Sequence, residues 1–464
     1  MDNTASSTYG WALHELGFTD FNDERLTQRA VKIAATLLAH PHSSIPAGCG
    51  NWPDTKATYR FFDNDKVNSF TMLSSHVGET INRCFPLQTI LVVQDTTTMN
   101  LTNKEVSGLG RIGEGTLQGF FAHSALAMNT EGIPLGLLYQ KIYVRKAITQ
   151  DKEYKKRWKQ LPIEEKETGK WVEVITCVKE KLTNKHVVVI GDRESDIYDV
   201  FKKGKERSID LLVRTSQNRL VSEINGESFT HLFDKAKHGT VLTAYTAFVP
   251  TTVSSHITRE VKLTVKVCQF LLHPSKHRRR KEEPLSLSLL DISEENPPTG
   301  EEPIHWMLTT TLQVDTPEEA IEKVQWYMYR WRIERFHYIL KTGAFNVEKL
   351  QFETFPRFKK AITMYSIIAY RVLFTTYAVR NHPNDDANTV FSKEEIRVLI
   401  MIGKKQKNTL TMNEAIVATA KLGGYLARKH DGPPGIKTLW IGFQTLTNIV
   451  YGVLMAEQAH LKQQ

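Results

Sequence analysis

The middle of the chain alternates strands and helices, and this order limits the fold more than any other feature. A β-branched run, TILVVQD, ends at Asp95, and a second buried run, KHVVVIGD, ends at Asp192. Between residues 89 and 216 the pattern predicts three strands, a helix, a strand, a helix and a fifth strand, IDLLVRTS. We therefore expect both acids at the carboxyl-terminal edge of one sheet. A single acid after a strand can also be a helix cap or a turn former.

Helical patterns flank this core. DERLTQRAVKIAATLLAH has apolar residues three and four apart, with Asp23 as its expected N-cap, and TKATYRFFDND predicts a further helix. From about residue 217 to 303, β-rich segments are joined by polar loops, which predicts an inserted β subdomain. The expected domains are a helical region at 1–70, an α/β core at 71–370 and a C-terminal helical region at 371–464.

Two helices are expected within the core. A long charged one should cover about residues 162–182, and SDIYDVFKKG predicts a short one closed by Gly204. After the β-rich segment, HWMLTTT reads as a strand and DTPEEA as an N-capped helix start. Trp306, in that apolar strand, is either a core tryptophan or a stacking partner for a base displaced from a duplex.

Charge and motif content narrow the function. The net charge of +9 and pI ≈ 9.1 favour a polyanionic partner. The basic runs KEYKKRWK and KHRRRK are either contacts to it or solvated faces. No GxxxxGK[ST] loop is present, so ATP hydrolysis is not expected, and four single cysteines give no zinc spacing. The polar N-terminus and the absence of a long apolar run predict a cytoplasmic protein without a membrane partner.

The stretch YMYRWRIERFHYILK surrounds a single carboxylate with basic residues. At about 100° per residue, one continuous helix would place four polar side chains on one narrow face. The opposite face, with Trp331, Ile333 and Leu340, would hold the helix in the core. An acid–base pair on a solvent face is the simpler explanation of the charges alone. The four residues are Tyr327, Arg330, Glu334 and Lys341.

Three carboxylates from two strands and a helix form a site for hard divalent cations, which take oxygen ligands. They are Asp95, Asp192 and Glu334. Two such ions can activate a water or a 3′-hydroxyl for phosphodiester displacement. The neighbouring bases would hold phosphates that an acidic centre alone would repel.

At these residues the sequence resembles the DDE transposases of the insertion-sequence-four family, particularly the Tn5-type enzymes. The resemblance covers nearly the whole chain and rests on QDTTTMN, EEKETGKW, GDRESDIYDV, WRIERFHYILKTG and AKLGGYLARKHDG. The spacing from Tyr327 through Arg330 and Glu334 to Lys341 is that family's YREK signature. The implied fold is an RNase H-like core interrupted by a β insertion before the glutamate helix.

The resemblance implies that residues 1–70 bind DNA and recognise the transposon end, and that residues 371–464 form a dimerisation domain. It also implies a role for each site residue. Asp95, Asp192 and Glu334 would be the catalytic triad and hold two Mg²⁺ ions, with Mn²⁺ as a substitute. Other residues would contact transposon-end DNA. Tyr327, Arg330 and Lys341 would bind phosphates, Trp306 a flipped base, and Arg214, Arg25 and Arg29 further DNA.

The implied reaction is cut-and-paste transposition through a hairpin, in a homodimeric complex with transposon-end and target DNA. In a bacterial-type cell, such a protein would associate with the nucleoid when bound to DNA. The helix LWIGFQTLTNIVYGVLMAEQ is a candidate dimer interface, although an intramolecular core fits its pattern equally. A nuclease without strand transfer and a non-cleaving end-binding regulator remain alternative functions.

Overall fold

The structure is a computed structural model. The basic run at 152–159 lies outside the described residues, as does all of 276–281 except Arg278, which ion-pairs with Asp199 and Glu282. Within the described part of the chain, no helix is long and apolar enough to cross a membrane. The described residues are 8–41, 43–113, 115–145, 161–225, 228–250, 258–275, 278, 282–297, 302–403, 407–429 and 431–461.

Five helices form the N-terminal region. The two helices predicted there are confirmed, and so is the N-cap, because the Asp23 side chain accepts a hydrogen bond from the Arg25 backbone N–H. An apolar stripe on the second helix packs into the largest core cluster of the protein. The helices are α1 (Thr8–Leu16), α2 (Glu24–Ala39), α3 (Ile45–Cys49), α4 (Trp52–Asp63) and α5 (Ser69–Cys84).

The core sheet has the predicted five strands in the spatial order β4-β3-β1-β5-β6. β4 and β1 each pair with β3 in the antiparallel direction, whereas β5 and β6 run parallel to β1. A short strand, β2, pairs with the start of β3. The strands are β1 (Thr89–Asn100), β2 (Gly110–Arg111), β3 (Gln118–Met128), β4 (Pro134–Tyr143), β5 (His186–Gly191) and β6 (Asp210–Arg214).

The first strand does not end at its acid, which corrects the prediction. β1 continues five residues beyond Asp95 because residues 94–100 keep pairing with β3 on one side. On its other side, pairing with β5 stops at Val93. Asp95 therefore lies where the sheet opens between β1 and β5.

The two core helices are α6 (Gly169–Lys181) and α7 (Tyr198–Arg207). The predicted start of α6 at residue 162 is wrong, since Lys166 is extended and a Cβ at Gly169 would lie 2.6 Å from the Ile163 carbonyl oxygen. The predicted end of α7 is also wrong. Gly204 lies inside the helix, where its missing side chain lets the backbone approach β6.

The β-rich segment extends the core sheet. The strand that follows this segment, β12, pairs with β11 on one side and with β6 on the other, where Leu308 lies opposite Arg214. One continuous sheet therefore runs from the core into the inserted strands. The elements are β7 (Leu220–Ser222), β8 (Phe229–His231), α8 (Leu232–Lys237), β9 (Thr240–Pro250), β10 (Thr258–Leu272), β11 (Leu285–Glu295) and β12 (His305–Thr310).

The C-terminal part is helical. The predicted helix start is confirmed: Thr316 and Glu319 form a capping box at α9. In the last helix, Trp440 is buried and stacks on Phe443, so part of its apolar face packs within the chain. The helices are α9 (Pro317–Met328), α10 (Trp331–Tyr338), α11 (Phe355–Asn381), α12 (Lys393–Ile402), α13 (Met412–Leu422) and α14 (Ile436–Leu461).

The two faces of the core sheet are both covered. Along β1, Leu91 and Val93 pack into the cluster that includes α10 and α11, while Ile90 and Val92 pack against α6 and α7. This alternation of faces decides which side of the sheet each acid occupies.

Candidate active site

Asp95 and Asp192 occupy equivalent positions on neighbouring parallel strands. Val93 of β1 lies opposite Ile190 of β5, and each acid comes two residues after its member of that pair. Adjacent strands lie about 4.8 Å apart. The register therefore brings the two carboxylates to one point of the sheet edge, as the sequence predicted.

Both acids lie on the sheet face that α10 covers. Residues two apart in a strand share a face, so Asp95 follows Val93 and Asp192 follows Ile190. Val93 and Ile190 belong to the same apolar cluster as Ile333 of α10. Glu334, the next residue of that helix, is the third predicted acid.

The pKa values of the two aspartates reflect this crowding. The pKa of Asp95 is raised to about 7, chiefly by burial and also by the charges of Asp192 and Glu334, while a hydrogen bond from the Thr96 backbone and the charge of Arg330 act in the opposite direction. Burial also raises the pKa of Asp192. Asp192 is also a helix cap, which was the alternative role considered for an acid after a strand. Its side chain accepts a hydrogen bond from the Glu194 backbone N–H at 2.9 Å, at the start of the short 3-10 helix Arg193–Ser195.

Glu334 ion-pairs with Arg330, whose Nη2 lies 2.8 Å from a carboxylate oxygen. Across the described ranges, no three Asp, Glu, His or Cys side chains are arranged closely enough to hold a metal ion. The chemistry of the donor set nevertheless fits divalent cations, because Asp95, Asp192 and Glu334 offer only carboxylate oxygens. The negative charges of Asp192 and Glu334 repel an ionised Asp95, and a bound cation would relieve this repulsion.

The continuous helix predicted from Tyr327 to Lys341 is wrong. Around Arg330 the backbone bonds tighten to the i→i+3 pattern, and residues Ile339–Gly343 form a π-helical turn. The constant angle of about 100° per residue is lost at both places. Arg332 lies 4.3 Å from the ring centres of Tyr329 and Tyr377, which fixes the tightened turn against α11.

The four signature residues consequently do not share one exposed strip. Tyr327 is only 3% exposed, and the Lys341 ammonium turns back to β1, where it donates to the Thr98 carbonyl oxygen at 2.9 Å. Arg330 and Glu334 remain neighbours. Ile333 and Leu340 are buried as expected.

An aromatic and basic cluster borders the acids. The Trp306 ring lies 6.2 Å from the Tyr327 ring, and the Arg214 guanidinium lies 5.9 Å from the Trp306 ring. Trp306 is partly exposed, so it is neither a fully buried core tryptophan nor a free surface residue. Trp331 was expected in the core but is half-exposed, with Arg330 5.2 Å from its ring.

His337 is a neighbour of the site that sequence reasoning missed. Its Nδ1 lies 3.6 Å from Asp95 Oδ2, and burial lowers its pKa to about 3. The signal was available, since His337 comes three residues after Glu334 and therefore lies on nearly the same helix face.

The basic residues predicted for DNA-end recognition lie apart from the acids, on α2. Arg25 is highly exposed and ion-pairs with Asp23, its own helix cap. Arg29 and Lys32 both contact Asp54 of α4, at 3.3 and 2.6 Å. Acidic partners on the protein thus hold these cations in place.

Three transposase families match successive parts of the chain. Residues 8–67 match the family described as Transposase DNA-binding, and residues 136–371 match Transposase DDE domain. Residues 367–460 match Transposase Tn5 dimerisation domain. Regions for DNA binding, catalysis and dimerisation therefore follow one another along the sequence.

Among solved structures, the chain is similar to a chain in "Cryo-EM structure of piggyBac transposase synaptic complex with hairpin DNA (SNHP)". The identity is 9% and the TM-score 0.39, over 91% of this chain and 76% of that chain. The DDE family match covers half of the sequence, and the sheet order agrees with an RNase H-like core. The chain belongs to the DDE transposase family, as a Tn5-type, metal-dependent enzyme that cleaves DNA and transfers strands.

Proposed function

We propose that this transposase moves DNA by a cut-and-paste reaction through a hairpin intermediate. It binds terminal inverted repeats, nicks one strand at the transposon end, and uses the freed 3′-hydroxyl to attack the opposite strand. A second water opens the hairpin, and the 3′ ends then attack target DNA. Two protomers with two ends form the active complex, and the protein works in the cytoplasm, on the nucleoid of a bacterial-type cell.

One observation carries the catalytic part of this proposal. Asp95 and Asp192 are aligned by strand register on the sheet face that α10 covers, and the charges of Asp192 and Glu334 raise the pKa of Asp95. An acidic centre of this kind at an open sheet edge suits phosphodiester chemistry.

The three acids would hold two Mg²⁺ ions, or Mn²⁺ in their place. Such ions supply activation of the attacking oxygen and stabilisation of the leaving oxygen. Arg330 Nη2 lies 2.8 Å from Glu334 Oε1; a divalent cation would take up the Glu334 carboxylate and would leave the Arg330 guanidinium available to a DNA phosphate. Glu334 would then be paired with the cation and Arg330 with the phosphate, so neither charge would be left without a partner.

The other candidate residues bind and orient DNA. Arg330 and Lys341 hold phosphates beside the cleavage point through charge-assisted hydrogen bonds, which are stronger than neutral ones. Tyr327, which is 3% exposed, packs beside Trp306 next to these contacts. Trp306 is partly exposed beside Tyr327 and provides a surface on which a displaced base stacks. Arg214 supports that ring, and Arg25 and Arg29 of α2 contact the recognised end.

The test begins by selecting bound duplexes from a random pool with the full chain. A selected duplex is then incubated with plasmid and Mg²⁺ or Mn²⁺, and products of the wild-type protein are compared with those of Glu334→Gln. We expect nicked, hairpin and joined products that require metal and disappear in the variant.

Other product patterns would replace the proposal. Nicking without joining would indicate a nuclease, and binding without cleavage by either protein would indicate an end-binding regulator. Joined products without any hairpin would keep strand transfer and exclude the hairpin route.

A further inference from the structure

Lys341 is held to the catalytic strand by a neighbouring carboxylate. The π-helical turn at Ile339–Gly343 carries Lys341 to β1, where its ammonium donates to the Thr98 carbonyl oxygen. Glu348 lies beside it, with Oε1 3.4 Å from the Lys341 Nζ. Thr98 comes three residues after Asp95 on the same strand, so Lys341 is fixed relative to the acids.

Glu348 is itself anchored to that strand. Its Oε1 accepts a hydrogen bond from the Asn100 backbone N–H at 2.9 Å, at the end of β1. The residue follows α10 on a short turn, Val347–Lys349. One carboxylate thus joins the end of the catalytic strand to the segment that follows the glutamate helix.

The surroundings leave Lys341 accessible to a ligand. An open cavity of about 350 Å³ lies beside Glu348 and is bordered by Asn100 and Lys104. Lys104 is occupied elsewhere, since its ammonium donates to the Leu350 carbonyl oxygen at 2.6 Å. The Lys341 side chain keeps 29% of its surface exposed.

We propose that Glu348 is a positioning residue, which holds Lys341 at the edge of β1 where it meets a phosphate of the DNA strand being cut. The inference rests on the proposed role of Lys341 as a phosphate contact. A lysine carries its charge on a flexible four-carbon stem and orients poorly alone. Glu348 restricts that stem before DNA arrives.

If Glu348 has this role, removing its charge should affect DNA affinity and the rate of nicking in different ways. A carboxylate beside the phosphate repels it, so removing the charge of Glu348 leaves DNA affinity unchanged or increases it. The same change frees Lys341 to move, and displacement of a group by about 1 Å can slow a reaction by up to about 100-fold. A residue needed only for folding would weaken both.

The experiment compares Glu348→Gln with Lys341→Ala and with the double variant, using the full chain and a duplex selected for binding. Glutamine keeps the acceptor for the Asn100 N–H and removes only the charge. Affinity is measured in Ca²⁺, and nicking of the bound duplex is measured after adding Mn²⁺. Glu353→Gln, at an exposed glutamate five residues further on, is the matched control.

We expect Glu348→Gln to bind at least as tightly as wild type and to nick the bound duplex about tenfold more slowly. Lys341→Ala should be slow too, and adding Glu348→Gln to it should cost nothing more, because coupled residues are not additive. An equal further loss in the double variant, or weaker binding by Glu348→Gln, would overturn the role of Glu348. Normal binding and nicking by Lys341→Ala would instead remove Lys341 from the proposed site.

Discussion

Asp95 and Asp192 stand side by side at the point where β1 and β5 part. Pairing between the strands ends at Val93, while β1 continues along β3 to Asn100. The two acids therefore differ in their position on the strands. Asp95 lies within β1, whereas Asp192 follows the last residue of β5. Because both acids are attached to the rigid sheet, their spacing is set before a ligand binds. Such preorganisation favours a binding or catalytic site.

The raised pKa of Asp95 predicts an unusual pH dependence of stability. A carboxyl group whose pKa rises from 3.8 to about 7 on folding binds more protons in the folded state. Its stabilising contribution is thus complete below about pH 4 and is lost as pH rises through 7. Asp95→Asn should remove this loss, and should raise stability near pH 8 by up to about 4 kcal/mol.

Thermal unfolding of the metal-free protein between pH 4 and 8 measures this effect. The midpoint of Asp95→Asn should exceed that of wild type at pH 8 and approach it at pH 4. Asp234→Asn is a control, because Asp234 is exposed and a hydrogen bond from Lys237 lowers its pKa. Divalent metal should raise the wild-type midpoint most at high pH, where Asp95 is ionised. A pH-independent difference would contradict the assignment.

Local sequence patterns were sufficient for the five core strands and for several helix starts. Alternating apolar runs located the core strands, and capping residues such as Asp23 and Thr316 located helix starts. The order of the core strands along the chain was predicted, whereas their spatial order, β4-β3-β1-β5-β6, was not. Asp95 and Asp192 could be predicted as neighbours because parallel strands bring their ends together.

Contacts between distant segments could not be predicted in the same way. The turn at Arg330 depends on Tyr377, which lies on another helix, and the direction of Lys341 depends on the carbonyl oxygen of Thr98. A prediction from regular helical periodicity takes neither contact into account. Trp331 was misplaced for this reason, since a regular helix would have buried it.

Glu334→Gln is expected to bind DNA normally and to lose nicking. Glutamine retains a hydrogen-bond acceptor for Arg330 but lacks the charge that a divalent cation requires. Changing a residue that only supports a metal ligand slows activity by up to about 100-fold. Because Glu334 is expected to bind the metal directly, the nicking rate should fall by more than that. Gel analysis of a selected duplex with Mn²⁺ measures it, and Glu318→Gln, in the first turn of α9, is the control. Substantial residual nicking would remove Glu334 from the triad.

Trp306→Ala is expected to permit the first nick and to slow hairpin formation. Base–aromatic stacking contributes about 1–3 kcal/mol, which corresponds to a rate loss of about 5- to 150-fold if the contact forms in the transition state. Trp306→Phe keeps a ring near Tyr327 and should recover most of the rate. The amounts of nicked and hairpin product over time separate the two steps. Equal hairpin rates in wild type and Trp306→Ala would make Trp306 only structural.

A buried ionic cluster joins α1 and α5 to β4, and its loss should destabilise the protein. Glu15 is 1% exposed and lies 2.7 Å from Arg83 Nη1 and 2.6 Å from His76 Nδ1. His76 Nε2 in turn accepts the Leu137 backbone N–H. Burial would raise the pKa of Glu15, but Arg83 and His76 outweigh it and lower the pKa to about 2. The cluster therefore stabilises the fold above about pH 4.5 and less as pH falls towards 2.

Arg83→Met keeps roughly the same side-chain volume and leaves the buried Glu15 carboxylate with His76 as its remaining partner, so it should cost up to about 3–5 kcal/mol at pH 7. Denaturant unfolding measures the change, with Arg357→Met as the control because the side chain of its partner, Asp63, is 57% exposed. The double variant Glu15→Met with Arg83→Met should recover most of the loss, since replacing both members of a buried pair is often neutral. If the double variant were as unstable as Arg83→Met alone, the cost would come from lost packing against Tyr370 rather than from the stranded charge.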